Sequence, residues 1–465
     1  MHCDMRIADF FTELDDSIAG ETHIDPLGTL VIWSAYGQAI FRGRVNSISN
    51  DARSYTLNLF HHNFIRNLIA NNSVKLSPAL ERQYSTKDSL AFKQACLLYL
   101  EKLFVFSVTE NERKQWVEHV DSTGVLGILK ARRVAAQGPV VIRFGPDQVL
   151  LTRQLLLGVS GRYKTPMVEM GFFDKAYRYD LTKSQDLWAS AEKFIANDDR
   201  MRELREELMQ HFRVLLADGA RVPAIDYDSK YARLMKAYTR AFPSSADVGK
   251  RSRRFWLAAT GLDQGVPGAV LRIADAMRKT DIEAINAQEF FEQAKQGVSD
   301  EGDQVGLKQI AHIESIEPFL ADIELLFSLM LSKGVRNIHD VKENWSRYTR
   351  RATTIPSRAR KLTGEPTLRE VLSETGRKRL DTLLQLGEAV TLDVQIRLLV
   401  DYHTKVMESR GQGPWLAIDA NENIKVFTGR APAPDEADCP EGYWTHHYYI
   451  PQFINLIRGF QGVRS

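Results

Sequence analysis

Apolar residues recur every three or four positions along most of this chain, the spacing of one face of an α-helix. Residues 85–107 place Phe92, Cys96, Tyr99, Leu103 and Phe106 on one stripe. Ser85, three before Asp88, reads as a capping-box start for that helix. The pattern repeats over 184–196 and over 200–219, where Gly219 is the expected stop. Thr367 and Glu370 suggest a capping box opening a helix over 367–386, and 391–411 predicts another, from Thr391 to Gly411.

Alternation of period two is scarce. "PVVIRFG" (139–145) is one candidate strand. "WLAIDANENIKVF" (415–427) sets two alternating runs around a polar turn and predicts a β-hairpin. The expected fold class is therefore mainly α, a multi-domain helical protein with a small β-hairpin element near the C-terminus. No repeat of 20–50 residues marks a solenoid.

A chain of 465 residues exceeds one hydrophobic core, and roughly two to four domains are expected. Breaks in periodicity at 217–228 and 295–306 divide it into an N-terminal helical domain (1–180), a middle helical segment (181–300) and a C-terminal helical domain with the hairpin (301–465). The Pro-rich acidic stretch 429–442 reads as an exposed loop.

Hydrophobic runs such as 150–158 and 323–334 are too short to span a bilayer. Acids occupy the N-terminal positions where a secretory signal carries basic residues. Cys3, Cys96 and Cys439 are scattered and without a CxxC pair, which fits a reducing compartment and argues against a disulfide framework or structural zinc. The expectation is a cytoplasmic protein with no membrane contact.

Candidate chemistry is thin. "GVSGRYKTP" (158–166) has the glycines of a phosphate loop, but it follows the helix expected over 147–157, whose end presents carbonyls rather than N–H groups. "SADVGKRS" (245–252) lacks the first Gly and the Ser or Thr of a P-loop. His312 and the pair His339–Asp340, 27 residues apart, loosely suggest a metal-dependent hydrolase. The surroundings of that pair are too polar for a buried metal helix. His446–His447 and His61–His62 are neighbours that would point to opposite faces of a strand, and aromatic packing, for His446–His447 against the hairpin, is the better reading. No residue set calls for a cofactor or a metal, and the chain leans towards a non-enzyme.

Charge does change the picture. The net charge is only +2, yet "NWSRYTRRATTIPSRARK" (344–361) holds six Arg or Lys and no carboxylate. In 230–242, Lys230, Arg233, Lys236 and Arg240 fall within roughly a 120° arc of a helix, opposite Tyr231, Leu234, Met235, Tyr238 and Phe242. No acid within that helix neutralises the row. Lys250, Arg251, Arg253 and Arg254 follow directly. In the third domain Trp345 and Tyr348 anchor a helical turn, Arg347, Arg350 and Arg351 point elsewhere, and Pro356 is expected to break the helix. Arg358, Arg360 and Lys361 then continue as a basic run with nearby hydroxyls. Lys130, Arg132 and Arg133 form a shorter cluster.

Arginine's planar fork suits phosphate. These fourteen residues from 230–254 and 347–361 therefore predict sequence-nonspecific binding to a nucleic-acid backbone, duplex DNA favoured. The chain would act with other protein subunits in a bacterial multi-protein system, of the kind found in anti-phage defence or mobile elements. The alternatives are a helical scaffold that docks protein partners and a cryptic metal-dependent hydrolase.

Overall fold

The computed structural model describes residues 25–146, 150–217, 224–227, 231–276, 286–298 and 303–463. Among these are twenty α-helices and two antiparallel two-stranded sheets, so the chain is mainly α as its periodicity predicts. No described helix is long and apolar enough to cross a membrane. The chain forms two units, each discontinuous in sequence. One comprises Arg42–Asp263 with Gln452–Ser465, the other His23–Phe41 with Gln264–Pro451.

The first unit is built on two helices buried on nearly every side, Ala52–Ala70 and Leu90–Lys114. The second of these starts at Ser89, whose hydroxyl accepts the Phe92 N–H at 3.2 Å. Ser85 instead ends the preceding helix Pro78–Tyr84 at φ +64°, so the cap lies four residues later than the sequence suggests. Amphipathic helices Gln185–Asn197, Asp199–Ala217, Ala232–Ala241 and Ser245–Thr260 surround this pair. Gly219 lies outside the described residues. The strand expected at 139–145 forms over Val140–Arg143 and pairs antiparallel with Ala224–Tyr227.

The "GVSGRYKTP" stretch wraps a carboxylate rather than a phosphate. Buried Glu101 accepts the Ser160 N–H at 2.7 Å and the Gln154 amide at 3.0 Å. A Cβ at Gly158 would run into the Glu101 carboxylate, which is why glycine stands there. His61 and His62 are both buried, against Tyr238 and against Phe173, Tyr177 and Tyr179. Burial pushes the His61 ring down to about 3, so it stays neutral as a packing residue.

The second unit is organised by Gln304–Leu331, a 28-residue helix that contains Pro318. Its buried Glu317 is a hub. It accepts hydrogen bonds from Trp33 Nε1 and Tyr448 Oη, and from the backbone N–H groups of Thr445 at 2.7 Å and His446 at 2.9 Å. Those donors fold "THHYY" onto the helix, with Tyr448 and Tyr449 both at positive φ. His446 stacks on Trp33 at 5.1 Å and is held neutral by burial, near 3. The packing is aromatic as expected, with Trp33, Tyr448 and Tyr449 as its ring partners in place of the hairpin.

Several local expectations hold and others shift. Thr391 caps Leu392–Glu408, and the hairpin forms from Leu416–Ile418 and Ile424–Val426. Thr367 opens no α-helix: Pro366–Arg369 is a single 3₁₀ turn, and the following helix, Glu374–Leu384, is capped by Ser373. Thr367 Oγ1 instead meets His312 Nε2 at 3.0 Å. Pro356 does not break a helix. It sits in the first turn of Thr354–Thr363, where its missing N–H costs nothing.

Two outcomes test this packing. The helices Ser245–Thr260 and Ile450–Gln461 touch backbone to backbone, because a Cβ at Gly249 would collide with the Gly459 carbonyl. Gly249→Ala should lower the urea-unfolding stability by about 1–3 kcal/mol. Gly413→Ala, which meets nothing within 4 Å, should stay within about 0.5 kcal/mol of the parent. The second outcome concerns Glu324, which accepts from Thr29 Oγ1 at 2.9 Å and whose carboxyl burial pushes up to about 8. Between the ordinary value and 8 the folded state keeps a proton that the unfolded chain releases, so stability falls as pH rises through that window. Glu324→Gln should match the parent near pH 4.5 and melt higher than it at pH 8.

Candidate nucleic-acid interface

The basic helix of the first unit forms as Ala232–Ala241, with Leu234, Met235, Ala237 and Tyr238 buried. The opposite face carries Arg233, Lys236 and Arg240, and each meets a partner from outside the helix. Glu207 and Glu203, one turn apart on Asp199–Ala217, meet Arg233 at 2.7 Å and Arg240 at 3.3 Å. Lys236 lies over the Trp116 ring at 5.3 Å, a cation–π contact. Lys230 lies outside the described residues. The shorter cluster is also engaged: Arg132 pairs with Glu112 at 2.6 Å, and that contact holds the Glu112 carboxyl below its usual range.

The next helix, Ser245–Thr260, is different. Ser244 caps it, accepting the Asp247 N–H at 3.2 Å, and Val248, Gly249, Ser252 and Trp256 face inward. Arg251 turns back into the unit, bound to Asp198, to Asp247 at 2.9 Å and to the Ala241 carbonyl. Lys250, Arg253 and Arg254 are exposed, and none has an ion-pair partner among the described residues. Apart from these three, the only other exposed position on the helix is Ala258. Lys193, exposed on Gln185–Asn197, is also unpaired among the described residues.

In the second unit the basic segment faces acids. Arg350 is fully buried, bonded to Asp322 at 3.1 Å and to the carbonyls of Tyr348, Cys439 and Pro440. Arg358 reaches the same buried Asp322 at 2.9 Å and the Pro318 carbonyl. Burial raises the Asp322 carboxyl and the two guanidiniums oppose that rise. Arg360 donates to the Gly387 carbonyl at 2.8 Å. Arg347, Arg351 and Lys361 remain exposed without an ion-pair partner among the described residues. Tyr348, between Arg347 and Arg351, holds the Pro434 carbonyl at 2.6 Å and so fixes the loop bearing exposed Asp435, Glu436 and Asp438 beside that turn.

Thus the expected residues divide three ways. Arg350, Arg358 and Arg251 are internal fasteners, withdrawn because a buried carboxylate needs a charged donor. Arg233, Lys236, Arg240 and Arg360 are exposed or half-buried but engaged. Lys250, Arg253, Arg254, Arg347, Arg351 and Lys361 are available; the first three share one helix, whose single acid, Asp247, is bound to Arg200 and Arg251, whereas Arg347 shares its helix with exposed Glu343.

The hydrolase candidates are dispersed. Asp340 forms a capping box with Asn337, and exposed His339 approaches Glu343 at 3.3 Å, while His312 is bound to Thr367. Among the described residues no group of three His, Cys, Asp or Glu side chains could hold a metal ion.

The fastener assignment has a direct test. Asp322→Ala leaves two guanidiniums without their carboxylate, Arg350 wholly buried, and should cost about 3–5 kcal/mol in urea unfolding. Arg351→Ala, on the exposed side of the same turn, should change it by less than about 0.5 kcal/mol. No protein-family model, curated protein or solved structure matches the chain, so its functional reading rests on these side chains alone.

Proposed function

We propose that the chain is a non-enzymatic nucleic-acid-binding protein that grips the sugar-phosphate backbone without reading sequence. The observation that carries this is the unpaired trio Lys250, Arg253 and Arg254, set about one turn apart on a helix whose only carboxylate, Asp247, is already bound to Arg200 and Arg251. Cations three and four apart share a helix face, so the three can reach successive phosphates. Asp247 on the same helix and Asp198 are already bound to Arg251, and Asp247 also to Arg200 at 3.0 Å. Net charge is nearly zero, so attraction is local and strongly salt-dependent.

A second reading, a scaffold that docks protein partners, has its own observation. Val394 and Leu398, four residues apart on one face of Leu392–Glu408, are exposed, as is Val390 just before that helix, which leaves a small group of apolar side chains uncovered.

The backbone reading is tested by titrating fluorescent oligonucleotides at several salt concentrations. Binding by the parent should weaken steeply with salt. Replacing Lys250, Arg253 and Arg254 with Gln should reduce the slope of log affinity against log salt by about 2.7 on duplex DNA. Replacing Arg347, Arg351 and Lys361 with Gln should have a smaller effect, because the acidic loop fixed by Tyr348 opposes a polyanion beside the first two. If the first triple variant binds like the parent, the reading is lost.

A further inference from the structure

Two phenyl rings sit beside the unpaired trio. Phe194 on Gln185–Asn197 and Phe255 on Ser245–Thr260 stack nearly parallel, with centroids 4.8 Å apart and planes at 12°. Both side chains are half-buried rather than enclosed. Each follows an exposed cation in the chain, Lys193 before Phe194 and Arg254 before Phe255. One turn along each helix, the exposed neighbours are short: Ser190 and Asn197 flank Phe194, and Ala258 flanks Phe255. The one long side chain a turn away, Arg251 four residues before Phe255, is held by Asp198 and Asp247. Buried Trp256 meets the Phe255 ring at 71° and holds its orientation.

We infer that this patch takes single-stranded nucleic acid, a base stacking on the Phe194–Phe255 shelf while Lys193, Lys250, Arg253 and Arg254 hold the flanking phosphates. The inference rests on the backbone-binding reading above and adds the class of substrate. Duplex bases are stacked on one another and cannot offer a face to a ring, whereas unpaired bases can, and every base has such a face. An aromatic shelf within a cationic rim therefore selects strandedness and not sequence. The acids on these two helices do not close it. Asp198 and Asp247 are bound to Arg251, and Glu192 binds Arg205, Asn63 and Asn67. Asp186, exposed seven residues before Lys193, is two turns away.

The experiment compares a single-stranded oligonucleotide carrying 2-aminopurine with a duplex of equal length, using the full chain and the variants Phe255→Leu and Phe194→Leu. Leucine preserves the apolar contact between the helices but has no ring face. The parent should prefer the single strand by about tenfold and change the 2-aminopurine emission on binding. Either Leu variant should lose about that factor for the single strand, keep its duplex affinity and lose the emission change. Equal affinity of the parent for both forms, or unchanged emission, overturns the shelf while leaving backbone binding intact. Failure of the parent to bind either form overturns the reading beneath it. If a Leu variant melts well below the parent, the parent's own preference and emission decide the matter.

Discussion

A carboxylate deprived of water must be met by donors, and much of this chain is arranged around that requirement. Glu101, Glu317 and Asp322 are each buried, and burial pushes each carboxyl upward. Each is met differently. Glu101 draws a glycine-bearing loop around itself, Glu317 collects two aromatic donors and two backbone N–H groups, and Asp322 binds two arginines. In every case the donors come from distant sequence, so the carboxylate fixes how non-adjacent segments pack. Arg350 shows the reach of this arrangement, because the same guanidinium that satisfies Asp322 also holds the carbonyls of Cys439 and Pro440.

That requirement reshapes what positive charge means in this molecule. With 61 basic and 59 acidic residues, a run of arginines in sequence is no guide to a patch in space. Acids spaced one turn apart on Asp199–Ala217 match cations seven apart on Ala232–Ala241, two rows that register across the helix interface. The helix Ser245–Thr260 escapes this matching. Its inward face is given over to Gly249, Ser252 and Trp256, and its one acid, Asp247, is turned to Arg200 and Arg251.

What could be read from the sequence was what depends on local spacing. The amphipathic helices, the Thr391 cap and the "DANEN" hairpin follow from side chains a few residues apart, and they stand where the pattern places them. Ser85 and Thr367 were misplaced as caps because Ser, Thr, Asp and Glu are common enough to imitate the motif, while the true caps, Ser89 and Ser373, lie a few residues on. Pro356 was read as a breaker when a first-turn proline is compatible with a helix. The fate of the arginines was not legible at all. Asp322 lies 28 residues before Arg350, and no local rule pairs them. The phenyl shelf was hidden for the same reason, since Phe194 and Phe255 are 61 residues apart and only the packing of their helices joins them.

The unpaired trio has an energetic consequence in the free chain. Lys250 stands three residues before Arg253 and four before Arg254, and like charges at those separations destabilise a helix by about 0.2–0.5 kcal/mol per pair. In Ala232–Ala241 the same kind of repulsion is cancelled by Glu203 and Glu207. In Ser245–Thr260 it stands uncancelled, and the helix is held instead by its Ser244 cap and the close approach of Gly249 to Gly459. A bound polyanion supplies the missing negative charge, so on the proposed reading ligand binding and the stability of the first unit are linked through one helix.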